Sequence, residues 1–140
     1  MLCEELMKRD FECVSPRDTV EDAARKMRDE NVGFLPVCDQ SKKVVGTLTD
    51  RDIAIRFVAG KKPVASFVED VMTREVVGCN PKDDLREAEQ LMAKHHKSRI
   101  MCLDGGGRLQ GVISLSDIAQ REQANAWQTL RQISEREARI

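Results

Sequence analysis

Apolar and polar positions follow two periods along this chain, and the sequence of periods comes round twice. Val20, Ala23, Ala24 and Met27 fall at i, i+3, i+4 and i+7, the apolar stripe of a helix, with Thr19 and Asp22 suited to its start. Leu85, Ala88, Leu91 and Met92 draw a second stripe of the same kind. Before each helix lies a short extended segment, residues 11–14 or 76–79, that runs into Ser15-Pro16 or Asn80-Pro81, where proline biases its predecessor away from helix. After each helix come two strand candidates joined by a polar turn. They are residues 34–38 and 44–48 around Asp39-Gln40-Ser41-Lys42-Lys43, then 99–103 and 109–113 around Asp104-Gly105-Gly106-Gly107-Arg108. A second helix closes each set, giving the order β-α-β-β-α twice.

The two sets are copies. Sliding the sequence by 65 positions aligns residues 3–56 with 68–121 without a gap, and thirteen pairs are identical, among them Met7/Met72, Pro16/Pro81, Ala23/Ala88, Gly46/Gly111 and Asp52/Asp117. Unrelated sequences of ordinary composition would share roughly three. The reading is a first repeat over 1–62, a second over 63–120 and a tail over 121–140, with Gly60-Lys61-Lys62-Pro63 as the boundary. One copy cannot cover both faces of its own sheet, so the two are expected to pack through their strands as an α/β (α+β) sandwich-like module with a pseudo-twofold axis. In the tail Ala119, Ala126, Ile133 and Ile140 recur every seven residues, and Trp127 and Leu130 add to that face. This predicts a helix docked on its own module or used in a dimer contact.

Composition narrows the function classes. With 140 residues, 41% hydrophobic and 34% charged, and 23 basic against 24 acidic side chains, the chain reads as a soluble domain without global attraction to nucleic acid or anionic lipid. No apolar run approaches the roughly 18 residues of a membrane span, and the first five residues lack the basic region of a signal peptide. A cytoplasmic location is the expectation. Cys3, Cys13, Cys38, Cys79 and Cys102 are odd in number and widely spaced, which indicates neither a disulfide framework nor a zinc knuckle. They read as buried thiols. A metal or redox sensor would need them to meet in space, and the repeat offsets Cys13 from Cys79 by one position.

Chemistry concentrates in one motif that occurs in both copies, Gly46-Thr47-Leu48-Thr49-Asp50-Arg51-Asp52 and Gly111-Val112-Ile113-Ser114-Leu115-Ser116-Asp117. Each sets a hydroxyl at a strand-to-helix junction, an Asp three positions later, and a Gly three positions earlier that lets another group approach the backbone. As a helix start, Thr49 or Ser114 caps and Asp52 or Asp117 returns the hydrogen bond. As a ligand site, the free amides attract phosphate and the carboxylate accepts two ribose hydroxyls. The spacing leaves both readings open. His95-His96 reads as exposed polar surface, Gly105-Gly106-Gly107 as a hairpin turn, and the repeated methionines as core. No catalytic residues and no metal ligands are indicated.

Taken with Asn31-Val32-Gly33-Phe34-Leu35-Pro36-Val37-Cys38-Asp39 and Val68-Glu69-Asp70-Val71-Met72-Thr73, these motifs resemble a tandem pair of CBS (cystathionine β-synthase) domains, over residues 3–121. The resemblance implies a regulatory module rather than an enzyme. It implies clefts between the repeats for AMP, ADP, ATP or S-adenosylmethionine as a regulatory ligand, with no cofactor required. One site would join Ser114, Ser116 and Asp117 to Val32, Gly33, Phe34 and Pro36. The other would join Thr49 and Asp52 to Thr73, Lys97, Ser98 and Arg99, with Thr73 and Arg99 toward phosphate. The halves differ, since Lys8 stands where the other copy has Thr73 and Met101 where the other has Pro36. The resemblance also implies a homodimer and a regulated partner protein supplied in trans; the competing reading is a ligand-free interaction scaffold.

Overall fold

The computed structural model describes residues 1–121 and 123–137. The chain forms two compact units, one of Glu12–Val76 and one of Met1–Phe11 with Val77–Ile140. They cut across the sequence segments 1–62 and 63–120, because the arm that opens each repeat packs with the body of the other.

In the Glu12–Val76 unit, helix α1 (Val20–Glu30) starts where the spacing predicts, with Thr19 Oγ1 accepting from Asp22 N at 3.1 Å. It ends at Asn31 in the left-handed conformation. Strands β1 (Phe34–Cys38) and β2 (Val44–Thr49) pair antiparallel, with Phe34 opposite Thr49 and Leu35 opposite Leu48. The extended segment predicted over 11–14 pairs at Val14 alone, which bridges Val37 in parallel. Pro16 has no N–H to carry that ladder further. Helix α2 (Asp50–Asp52) widens at once into a π-type helix, Ile53–Ala59. The core gathers Val20, Ala23, Met27, Leu35, Val37 and Leu48, closed by Val68, Val71 and Met72 from the arm before the second repeat. Leu35 and Leu48 are wholly buried, each contributing about 1.5–3 kcal/mol.

The other unit repeats the plan. Strand β3 (Gly78–Cys79) runs parallel to β4 (Arg99–Leu103), which pairs antiparallel with β5 (Leu109–Ser114). Helix α3 (Leu85–His95) lies between β3 and β4 in sequence and is capped by Asp84. Its C-cap, His96, is left-handed like its repeat equivalent Asn31. The turn 104–108 is a hairpin turn, with Asp104 Oδ1 accepting from Gly106 N and Arg108 N. Cys3 and Met7 enter this core from the first arm at the positions that Val68 and Met72 fill in the other unit.

Helix α4 (Leu115–Arg121) is followed by α5 (Gln123–Glu137), which packs on α3 and α4. Ile133 and Thr129 face inward, whereas Trp127 and Leu130 are exposed, so the apolar face read from the tail is divided between interior and surface. The Ile140 position and the Ala126 side chain of that reading lie outside the described residues. Among the described residues no helix is long and apolar enough to cross a membrane.

Candidate functional site

The two glycine–hydroxyl–aspartate turns stand at equivalent places, one in each unit, and both are built as helix starts. At the end of β2, Thr49 Oγ1 accepts from Asp52 N at 3.1 Å and Asp52 Oδ2 accepts from Thr49 N at 3.0 Å, a reciprocal capping box. Asp52 is 9% exposed, and its other oxygen is also engaged. Thr73 Oγ1 donates to Oδ1 at 3.2 Å, and Arg56 Nε lies 3.9 Å away. Arg56 is itself held by the arm, donating to the Met72 carbonyl at 2.9 Å.

The glycine of the motif has a structural cause. Thr73 and Thr47 exchange backbone hydrogen bonds of 2.9 Å, and a Cβ on Gly46 would fall 2.6 Å from the Thr73 carbonyl oxygen. Only a bare Cα lets the arm lie this close. The Gly33 carbonyl accepts from Asp50 N at 2.9 Å, so Val32, Gly33 and Phe34 gather at the same end of the sheet as Thr49 and Asp52. Pro36 is buried in mid-strand, and its carbonyl is taken by Val14 N.

The turn after β5 has the same frame and a different occupant. Ser114 Oγ accepts from Asp117 N at 3.2 Å, and Asp117 Oδ2 accepts from Ser114 N at 3.2 Å. Ser114 Oγ also lies 3.0 Å from Ser116 Oγ. Lys8 and Val112 exchange the backbone hydrogen bonds that Thr73 and Thr47 exchange in the other unit, and a Cβ on Gly111 would fall 2.8 Å from the Lys8 carbonyl oxygen. Lys8 therefore delivers its ammonium 3.6 Å from Asp117 Oδ1, the lysine side chain being 63% exposed and the aspartate 14%. Ser98 accepts from Leu115 N at 2.8 Å through its carbonyl, and Arg99 stands opposite Ser114 across the ladder, so Lys97, Ser98 and Arg99 gather at this turn.

Each unit thus assembles one carboxylate, one capping hydroxyl, one edge loop and one arm residue. Lys8 and Arg56 are the residues that sequence reasoning missed at the aspartates. The signal for Lys8 was present, since the repeat sets it opposite Thr73, but a salt bridge spanning 109 positions is invisible to spacing alone. Two other readings are corrected. His96 is half-buried, its Nδ1–H donating to the Gln132 carbonyl at 3.0 Å, because the tail helix covers it. Three of the cysteines do meet: Cys79 Sγ lies 3.8 Å from Cys3 Sγ and 3.7 Å from Cys102 Sγ. Cys13 is half-buried rather than buried. Offset along the sequence did not exclude this, because the contacts join different elements of one unit, the first arm with β3 and β3 with β4, and not equivalent positions of the repeats.

Among the described residues no group of three His, Cys, Asp or Glu side chains is arranged to hold a metal ion. A cavity of about 270 Å³, bordered by Glu4, Arg9, Asn80, Lys82, Asp104 and Gln110 among others, contains none of the candidate ligand-binding residues.

Comparison with known proteins agrees with this architecture. The CBS domain family matches the chain twice, over residues 3–58 and 68–123. The CBS domain-containing protein YhcV of Bacillus subtilis is 40% identical over 112 residues, covering 80% of this chain and 79% of its own. A conserved CBS domain protein of Thermoplasma acidophilum, TA0289, superposes with a TM-score of 0.82 at 25% identity, covering 94% of this chain and 75% of its own. The CBS domain pair of protein MJ0100, solved in complex with 5′-methylthioadenosine and S-adenosyl-L-methionine, superposes with a TM-score of 0.79 at 23% identity, covering 89% of this chain and 97% of its own. With two family matches, a β-α-β-β-α plan in each unit and paired capping turns, the chain belongs to the CBS-domain family as a tandem pair, a regulatory and non-catalytic module.

Proposed function

We propose that this CBS pair takes an adenosine-containing ligand at its glycine–hydroxyl–aspartate turns and thereby modulates a partner protein supplied in trans, acting as a homodimer in the cytoplasm. Related CBS pairs hold such ligands, MJ0100 among them. The observation that carries the reading here is Asp117. Its Oδ2 is fixed by Ser114 N, while its Oδ1 faces the ammonium of an exposed lysine. A ribose diol can replace a solvated ammonium at little cost, since exposed ion pairs are worth about 0–1 kcal/mol. The displaced Lys8 then sits beside the ligand, placed for a phosphate, as are the Ser114 and Ser116 hydroxyls. Lys97, Ser98 and Arg99 line the edge of the same turn, and Asp52 with Thr49 and Thr73 is the equivalent group of the other unit.

A second reading, a ligand-free scaffold, draws support from the Asp52 turn. There the glycine accommodates the arm, the hydroxyl and carboxylate cap each other, and Thr73 and Arg56 occupy the remaining oxygen. Thermal melting against AMP, ADP, ATP, S-adenosylmethionine and GTP separates the two. A ligand at about 100 times its Kd adds about 2.7 kcal/mol, a shift of several degrees. The proposal expects such a shift with an adenosine ligand and its loss in Asp117→Asn. No shift at millimolar concentration with any of the five establishes the scaffold reading instead.

A further inference from the structure

We propose that Cys3 is an oxidation site, its sulfur closing onto Cys79 as a disulfide that fastens the first arm to the sheet. Three of the five cysteines form one group, Cys3 with Cys79 and Cys102. Cys79 is central in it. Its thiol donates to Cys3 at 3.8 Å, a separation that side-chain rotation closes toward the roughly 2.05 Å of a bond. Cys79 and Cys102 are neighbours on the parallel ladder of β3 and β4, so a link between those two joins strands already joined. Cys3 comes from a different element, the single 3₁₀ turn Cys3–Glu5. A cross-link there is the one that changes what is held to what.

The three thiols are not chemically alike. Hydrogen bonds from Cys102 and Cys79 to its sulfur hold Cys3 below the ordinary thiol range, while Cys79 is pushed up by its hydrogen bonds with Cys102 and Cys3 and by burial, and Cys102 by its hydrogen bond with Cys3 and by burial. Cys38 is also pushed up, chiefly by burial. Cys3, whose sulfur accepts from Cys79 and reaches the Asp84 carbonyl at 3.8 Å, is the arm's member of the group, and its deprotonated form is the nucleophile. It is fully buried in the closed arm. Its oxidation requires local opening of the arm, whose one turn, Cys3–Glu5, is the element that must move to expose the sulfur.

The oxidant required is a hydroperoxide. The Cys3 thiolate attacks one peroxide oxygen, the O–O bond breaks, and a sulfenic acid and hydroxide (or alkoxide) form. On reclosure the Cys79 sulfur attacks the Cys3 sulfur, the S–O bond breaks, and water leaves with the Cys79 proton. Two thiols are oxidised to one disulfide as one peroxide is reduced. The bond spans 76 positions of sequence, and so large a closed loop restricts the unfolded chain strongly.

Trypsin releases every cysteine of this chain on its own peptide, so the experiment is direct. The intact reduced protein is treated with hydrogen peroxide, its remaining thiols are alkylated in denaturant, and the digest is mapped by mass spectrometry. The expected result is a Cys3–Cys79 peptide pair, retained in Cys102→Ser, absent in Cys79→Ser, and accompanied by a rise in Tm of about 5 °C or more that dithiothreitol reverses. A wild-type map in which Cys3 is recovered alkylated, or joined to any cysteine other than Cys79, overturns the proposal. That readout needs no variant to fold.

Discussion

Lys8 holds its ammonium 3.6 Å from Asp117 Oδ1, and it does so at the position where the other repeat has Thr73, whose hydroxyl donates to Asp52 Oδ1 at 3.2 Å. The two arms thus follow one backbone path and bring different chemistry to equivalent carboxylates. One carboxylate meets a mobile cation, the other a short neutral donor with Arg56 behind it.

Replacing that cation tests the difference. Lys8→Thr leaves stability within about 0.5 kcal/mol, because the pair is exposed on the lysine side. On the proposed function it weakens a phosphorylated adenosine ligand about threefold to tenfold and leaves S-adenosylmethionine binding unchanged, since only the phosphate needs the cation. Isothermal titration calorimetry with both ligands reads the contrast.

The motif glycines predict a stability pattern independent of any ligand. Gly46→Ala and Gly111→Ala each push a Cβ against an arm carbonyl, at 2.6 and 2.8 Å, and are expected to cost about 1–3 kcal/mol. A Cβ on Gly105 meets nothing within 4 Å, so Gly105→Ala is expected to be neutral or slightly stabilising. Denaturant midpoints of the three variants give the comparison.

For the tail helix, the inward residue rather than the large one should matter. Ile133 is 3% exposed in the core that includes Ile100, Ile113 and Ile118, and Ile133→Ala is expected to cost about 2–4 kcal/mol. Trp127 is 69% exposed, and Trp127→Ala is expected to stay within about 0.5 kcal/mol of wild type. Equal losses in the two melting curves would contradict the docking described for α5.

The two hairpin turns carry an acid dependence. Asp39 is held below its ordinary value of 3.8 by the Ser41 hydroxyl and by the backbone N–H groups of Lys43 and Ser41; Asp104 is lowered by those of Arg108 and Gly106. A carboxylate depressed on folding contributes stability that is complete above its unfolded pKa and is lost as pH falls through the folded one. The double variant Asp39→Asn/Asp104→Asn should therefore melt lower at neutral pH and lose less on acidification. Melting temperatures between about pH 2 and pH 7 decide it, and parallel curves would sink the argument.

By itself the sequence determined the elements and their repetition. Apolar spacing placed α1 and α3, alternation between polar turns placed β1, β2, β4 and β5, and Thr19 and the two hydroxyl–aspartate turns announced helix starts that the structure contains. These are local preferences, set by side-chain period and backbone capping within a few residues. Tertiary structure decided what lies across the fold from what. It exchanged the arms, so that Met7 and Cys3 fill the core beside α3 while Met72 and Val68 fill the one beside α1. It gave Gly46 and Gly111 their reason, set Lys8 on Asp117, turned Trp127 outward, and gathered thiols that the sequence scatters. Such pairings join positions tens of residues apart, and the free energy that selects them is the burial of two whole cores, which no window of sequence contains.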